Sequence, residues 1–153
     1  MEDDAMGSRS MIGRQNEDGS IEAIYCHFDG GLWHVGALLH EHWNDPEKVG
    51  RLLGLGDLSE LGSEIGEKHC FEGRHSTAAE FERVRNWCLA YGRDRGEEGC
   101  AAQRYENAEA FHVEGYGYLL VDGRWVFFHA DEPPVPLAEA VEQYRLKKAQ
   151  HPY

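Results

Sequence analysis

The chain has 153 residues, 41% of them hydrophobic, with 28 acids against 15 bases for a net charge of −13. That length supports one domain with one real core, and no run of about eighteen apolar residues is present that could form a membrane-spanning helix. A surface this acidic repels phosphate backbones, which argues against direct nucleic-acid binding.

In chain order, residues 1–8 read as a disordered acidic tail ahead of a single α+β domain over 9–150. Ser10-Met-Ile-Gly-Arg-Gln15 and Ile21 to Phe28, joined through Asp18-Gly19, read as a β-hairpin, because Asp-Gly supplies the φ > 0 positions a tight turn needs. Leu32, Val35, Leu39 and Trp43 then fall at helical spacing, with Gly36 inside the pattern at a cost of about 1 kcal/mol relative to Ala unless something packs on it. A second helix starts at Pro46 with Asp45 as its N-cap and carries Val49, Leu52 and Leu53 on its apolar side.

Residues 57–75 carry no clear period. Ser76 can cap a short helix holding Phe81 and Val84, Asn86 to Tyr91 reads as a strand, and Arg93 to Glu98 as a self-paired, solvent-facing loop. Glu114–Val121 and Arg124–His129 form a second hairpin around Asp122-Gly123, and Pro136 to about Lys148 a closing helix with Leu137, Val141, Tyr144 and Lys148 inward. The expected architecture is an antiparallel sheet of about five strands near 9–15, 21–28, 86–91, 114–121 and 124–129. Three to four helices are expected on one face of it.

The four cysteines, Cys26, Cys70, Cys88 and Cys100, form no CxxC pair and read as reduced thiols. The opening Met1-Glu2-Asp3-Asp4 lacks the basic-then-apolar layout of a secretory signal. Together they point to the cytoplasm.

Nine histidines raise the question of a metal. His40 and His42 lie about 200° apart around a helix, so they cannot chelate together from its regular part. His27 on a strand and Asp29 two residues later could meet His34 on the following helix, the ligand set of a small metal-assisted hydrolase. No regular chelating pair supports that alternative, and no cofactor motif occurs, so no metal and no cofactor are expected. Cys26 next to His27 would face the other side of a strand from it, which argues against a thiol–imidazole dyad. His69-Cys70 lies in the stretch without a period. The aromatics Tyr116, Tyr118, Trp125, Phe127 and Phe128 crowd the second hairpin and read as core beneath the closing helix.

Several segments together resemble a family of small phage and prophage proteins. They are Ser8-Arg-Ser-Met-Ile-Gly13, Ile24-Tyr-Cys-His-Phe-Asp-Gly30, Val35-Gly36 with Leu38-Leu39, Ala90 to Glu97, Tyr118 to Trp125, and Pro136 to Ala140. Members open near Thr-Arg-Ser-x-Ile-Gly and carry Tyr-Cys-His-Trp-Asp-Gly-Tyr before a helix; this chain departs at Phe28 and Gly31. No catalytic residue comes with the resemblance. It implies a phage or mobile-element origin and a bacterial host cytoplasm, a setting in which small acidic proteins bind and block host proteins.

The charge balance sharpens that expectation. Residues 1–144 hold 12 bases against 28 acids, a net −16, and the last nine residues add Arg145, Lys147 and Lys148. One reading of the surplus is plain solubility. The other is an acidic face that docks a basic host protein, such as a nuclease or a CRISPR effector, in place of nucleic acid. Its candidate residues are Glu60, Glu64, Glu67, Asp94, Glu97, Glu98, Glu106 and Glu109, which fall in three runs outside the apolar strands.

Overall fold

Both hairpins form. The computed structural model of the protein describes residues 8–71, 77–111, 115–129 and 132–150. Strands β1 (Ser10–Gln15) and β2 (Ile21–Cys26) pair antiparallel, as do β6 (Tyr116–Val121) and β7 (Arg124–His129). Their turns differ. Asp122 and Gly123 both have positive φ (51° and 80°), the signature of a two-residue type I′ turn. The first hairpin uses residues 16–20 instead: the Asn16 N–H donates to Ser20 O, and Asp18 Oδ1 accepts from the Ser20 N–H and hydroxyl. Only Gly19 there is left-handed.

The α+β class stands, but the sheet is larger than expected and mixed. It has eight strands, adding β3 (Leu58–Glu60), β4 (Leu89–Ala90), β5 (Gln103–Tyr105) and β8 (Val135–Pro136). The order is β4-β3-β2-β1-β6-β7-β8, with β5 also paired to β2. Two pairings are parallel. β1 runs parallel to β6, so the hairpins join through their first strands, and β2 runs parallel to β3 through the helical crossover between them. The turn chemistry that fixes each hairpin says nothing about how two hairpins lie side by side, which is why an all-antiparallel sheet was the wrong expectation.

The expected strand 86–91 is mostly not strand. Trp87 makes an isolated bridge to Glu64, β4 covers only Leu89–Ala90, and the chain coils into α4 (Tyr91–Arg95). The helix expected over 32–43 begins as a π-helical turn (Leu32–Gly36), with the Gly36 N–H bonded to Gly31 O, and continues as α1 (Ala37–His42). Gly36 has a packing reason: a Cβ there would meet the Tyr118 hydroxyl at 3.3 Å and Leu32 Cδ2 at 2.9 Å. Helix α2 (Pro46–Leu55) starts as predicted, with Asp45 Oδ1 accepting from the Glu47 N–H at 3.0 Å. Helix α3 (Ala78–Val84) is capped by Thr77, and the expected cap Ser76 lies outside the described residues. Residues 1–7 of the expected tail also lie outside them. Ser8 belongs to the fold, since it is buried and its carbonyl accepts from the Gly30 N–H.

Alternation in the strands divides the core into two layers. Ile12, Ile24, Tyr118, Leu120, Trp125 and Phe127 face the main cluster, which the π-turn, α1, α2 and α5 (Leu137–Gln150) complete with Val35, Leu39, Trp43, Leu52 and Val141. Ile21, Ala23 and Leu119 face the other side, where Phe111 closes a smaller cluster after β5 and a short 3₁₀ turn (Ala108–Ala110). Of the second hairpin's aromatics, Tyr118, Trp125 and Phe127 are core beneath the closing helix as expected, whereas Tyr116 is half-buried at its margin and Phe128 packs against the smaller cluster on the other side. Only the first half of α5 is buried, through Leu137, Ala140 and Val141. Lys148 is exposed and Tyr144 half-buried, so the inward stripe ends a turn or two earlier than its spacing implies.

Candidate partner-binding surface

The acidic candidates separate into three situations. Asp94 is not on the surface at all. Its side chain is fully buried, and its two carboxylate oxygens accept from the backbone N–H groups of His69 (3.1 Å) and Ala90 (2.8 Å) and from the Arg93 guanidinium. Arg93 extends the hub by donating to Ile65 O and Cys88 O, both at 2.8 Å. The charged run Arg93–Glu98, expected as a solvent loop, is half a buried structural knot. Asp94 thus holds the fold and leaves the acidic face.

A second group is locally neutralised. Glu64 lies 3.6 Å from Lys48 Nζ, and Glu97 pairs with Arg95. Glu60 is half-buried on β3. Exposed ion pairs of this kind are worth about 0–1 kcal/mol each, so they tune charge more than stability.

The third group is exposed and unneutralised: Glu67, Glu98, Glu106 and Glu109 make no ion pair among the described residues. Three of these four lie in the segment 97–109 that carries β5. The single base of that segment, Arg104, is held 3.0 Å from Asp18. Asp57 adjoins the same segment, donating its N–H to Cys100 O at 2.7 Å while its carboxylate accepts from the Tyr25 N–H at 2.9 Å. Partial burial holds the Asp57 carboxyl above the ordinary carboxylate range, and neighbouring Glu97 pushes it the same way. Asp57 and Glu97 thus stand close enough at this sheet edge for the second to act on the first. The sequence hid Asp57 and Asp18 as members, because only β5's placement beside β2 brings them there.

His27, Asp29 and His34, the ligand set of the hydrolase alternative, are not brought together as one group in the structure. Nδ1 of His27 is hydrogen-bonded to the Tyr25 hydroxyl at 2.6 Å, Nε2 of His34 meets Leu61 O at 3.0 Å, and Asp29 takes a left-handed turn conformation whose carbonyl accepts from Val35 N–H. Among the described residues no three His, Cys, Asp or Glu side chains are grouped so as to hold a metal ion. Nor does the Cys26–His27 dyad form: the Cys26 thiol is buried and points to Phe28 O. The His69 ring is buried against the edge of Trp87 while Cys70 is exposed.

None of the four cysteines is in a disulfide. Burial pushes the Cys26 thiol up to about 12 and the Cys88 thiol up to about 11. At pH 8 iodoacetamide should therefore modify exposed Cys70 first and Cys100 more slowly, since desolvation and the charges of Glu97 and Asp57 raise the Cys100 thiol. Cys26 and Cys88 should stay unmodified until the protein unfolds. Peptide mass spectrometry reads this, and labelling of Cys26 as fast as Cys70 would contradict a closed core. The sign of the pH effect follows. Both folded values exceed the unfolded thiol's ~8.5, so their contribution is complete below that pH and is lost as pH rises toward 11 and 12.

No family model, curated protein or solved structure matches this chain. Among the described residues no helix is long and apolar enough to cross a membrane.

Proposed function

We propose that the chain is a non-enzymatic binding protein of phage or mobile-element type that docks an acidic surface on a basic host protein. The partner class is a nucleic-acid-handling defence component, such as a nuclease or a CRISPR effector, met in the cytoplasm of a bacterial host. The observation that carries the reading is the acidic rim around β5. Glu98, Glu106 and Glu109 are exposed and make no ion pair among the described residues, and Glu97 stands close enough to Asp57 to help hold its carboxyl above the ordinary range. A net charge of −13 concentrates the same sign over the whole molecule, which steers a cationic partner and repels nucleic acid itself.

Charge reversal tests it. Glu98→Lys, Glu106→Lys and Glu109→Lys together should slow association with a partner captured from host lysate by about tenfold or more. Stability should move little, because each site is exposed and unpaired, and surface changes usually stay within about ±0.5 kcal/mol. Binding of the unmodified protein should also weaken as salt rises, since exposed charges are screened over about 8 Å near physiological ionic strength. A complex indifferent both to salt and to the triple reversal would rule out docking through these carboxylates.

A further inference from the structure

We propose that the free edge of β5 is a strand-addition site, and that the partner supplies an extended basic segment to it. This rests on the acidic docking just described and specifies how that surface is engaged. The argument begins with a gap in the sheet. Along one side of β2, strands β3 and β5 lie end to end: Cys26 pairs with Leu58, and Ile21, Glu22 and Ala23 pair with Tyr105, Arg104 and Gln103. β4 covers the outer side of β3. Among the described residues no strand pairs with the outer side of β5, so the row that β4 begins stops short beside it.

The hydrogen-bonding parity of β2 says which groups the gap exposes. The Tyr25 N–H reaches Asp57 Oδ1 and the His27 N–H reaches Leu58 O, so the odd-numbered backbone groups of β2 face this side. Alternation then makes Ile21–Tyr105 and Ala23–Gln103 the hydrogen-bonded pairs. The N–H and C=O of Arg104 point the opposite way, out of the sheet, as they do on any edge strand. Gln103 and Arg104 are exposed and Tyr105 is half-buried, so no side chain roofs the edge.

Two features limit the occupant. An edge of three residues offers few backbone bonds, each worth about 1 kcal/mol net, which is too little to hold a neutral peptide alone. The flanks add charge of one sign: Asp57 and Glu98 at the Gln103 end, Glu106 and Glu109 at the Tyr105 end. Arg104, the one base between them, is turned to Asp18. Cys100 to Glu106 spans at most roughly 20 Å of extended chain, so a strand of six or seven residues with Lys or Arg at both ends meets both flanks. Nucleic acid has no strand-like amide edge and is repelled by the same carboxylates, which leaves a basic polypeptide.

A synthetic peptide alternating Lys and Val over seven residues tests this, against the same peptide N-methylated on the residues of one strand edge and, separately, on those of the other. Methylation removes amide donors while keeping every charge. Isothermal titration at low salt should show that the plain peptide binds, and that one of the two methylated forms binds at least about tenfold more weakly. Arg104→Pro should bind the plain peptide at least about tenfold more weakly than Arg104→Ala. Both lack the guanidinium, only the first lacks the outward N–H, and proline is tolerated where an edge N–H faces solvent. Circular dichroism of the two variants checks that both remain folded. Equal affinity of all three peptides overturns strand addition and leaves acidic docking standing. No binding of any peptide, even at low salt, overturns both.

Discussion

Replacing Trp43 by alanine should remove about 3–5 kcal/mol of stability, a large part of the roughly 5–15 kcal/mol a domain of this kind has. The indole is fully buried in the main cluster, where residues from both hairpins and four helical segments converge. Its Nε1–H donates to Gly62 O at 3.1 Å, which fastens the segment after β3 to the end of α1. Its own carbonyl accepts from Trp125 Nε1 at 2.9 Å, which fastens β7 to the same point. Lys48 lies 4.3 Å from the ring centroid and donates to His42 O and Ser63 O, so one cation ties the same two segments from outside. Alanine leaves a cavity and leaves the Gly62 carbonyl only the weak Cys88 thiol as donor, whereas Trp43→Phe fills most of the volume and loses only the indole hydrogen bond, at about 1–3 kcal/mol. Urea unfolding followed by far-ultraviolet circular dichroism should show the Trp43→Ala midpoint lower by roughly 2 M, with Trp43→Phe between. An unchanged midpoint for Trp43→Ala would show that the cluster does not depend on the residue.

The parts of this fold that the sequence makes legible are the ones written in short-range code. Asp122-Gly123 sets a two-residue turn whose strands follow in register, and Asp45-Pro46 caps and starts α2. Alternation around Tyr118, Trp125 and Phe127 identifies core before any contact is known. What local code leaves open is pairing between distant segments. The parallel contacts of β1 with β6 and of β2 with β3 join residues about a hundred and about thirty positions apart, and no turn residue announces either. β3, β4, β5 and β8 have two or three residues each, too short for alternation to show.

The candidate surface was legible to a similar degree. Counting charges finds Glu98, Glu106 and Glu109, which are exposed as expected. Counting cannot tell a solvated carboxylate from a buried one. Asp94 reads in sequence as one more acid in a charged run, between two arginines. The difference is made by partners remote in the chain, chiefly the His69 amide, together with the carbonyls of Ile65 and Cys88 that hold Arg93. The same remoteness hides Asp57, whose place at the acidic edge comes from its bonds to Tyr25 and Cys100.

Asp94→Ala should accordingly behave as a core mutation, costing about 3–5 kcal/mol, because it removes one partner of a buried ion pair and leaves the other uncompensated. Four donors converge on this carboxylate: the His69 and Ala90 amides, Arg93 Nε and Arg93 Nη2. Through Arg93 the same knot reaches Ile65 O and Cys88 O, so beyond the single Glu64–Trp87 bridge the irregular stretch after β3 is held to β4 and α4 by side chains. Asp94→Asn keeps the shape but has one acceptor oxygen and no charge, and should fall between wild type and alanine. The two partners act as a unit, so Arg93→Ala with Asp94→Ala should cost clearly less than the sum of the single changes. A double-mutant cycle by urea unfolding measures that coupling. Hydrogen exchange adds a local readout: the His69 and Ala90 amides should lose protection in Asp94→Ala before the β6–β7 hairpin does. If Asp94→Ala costs under about 1 kcal/mol, or the cycle shows additivity, the carboxylate is not the fastening described, and its burial needs another explanation.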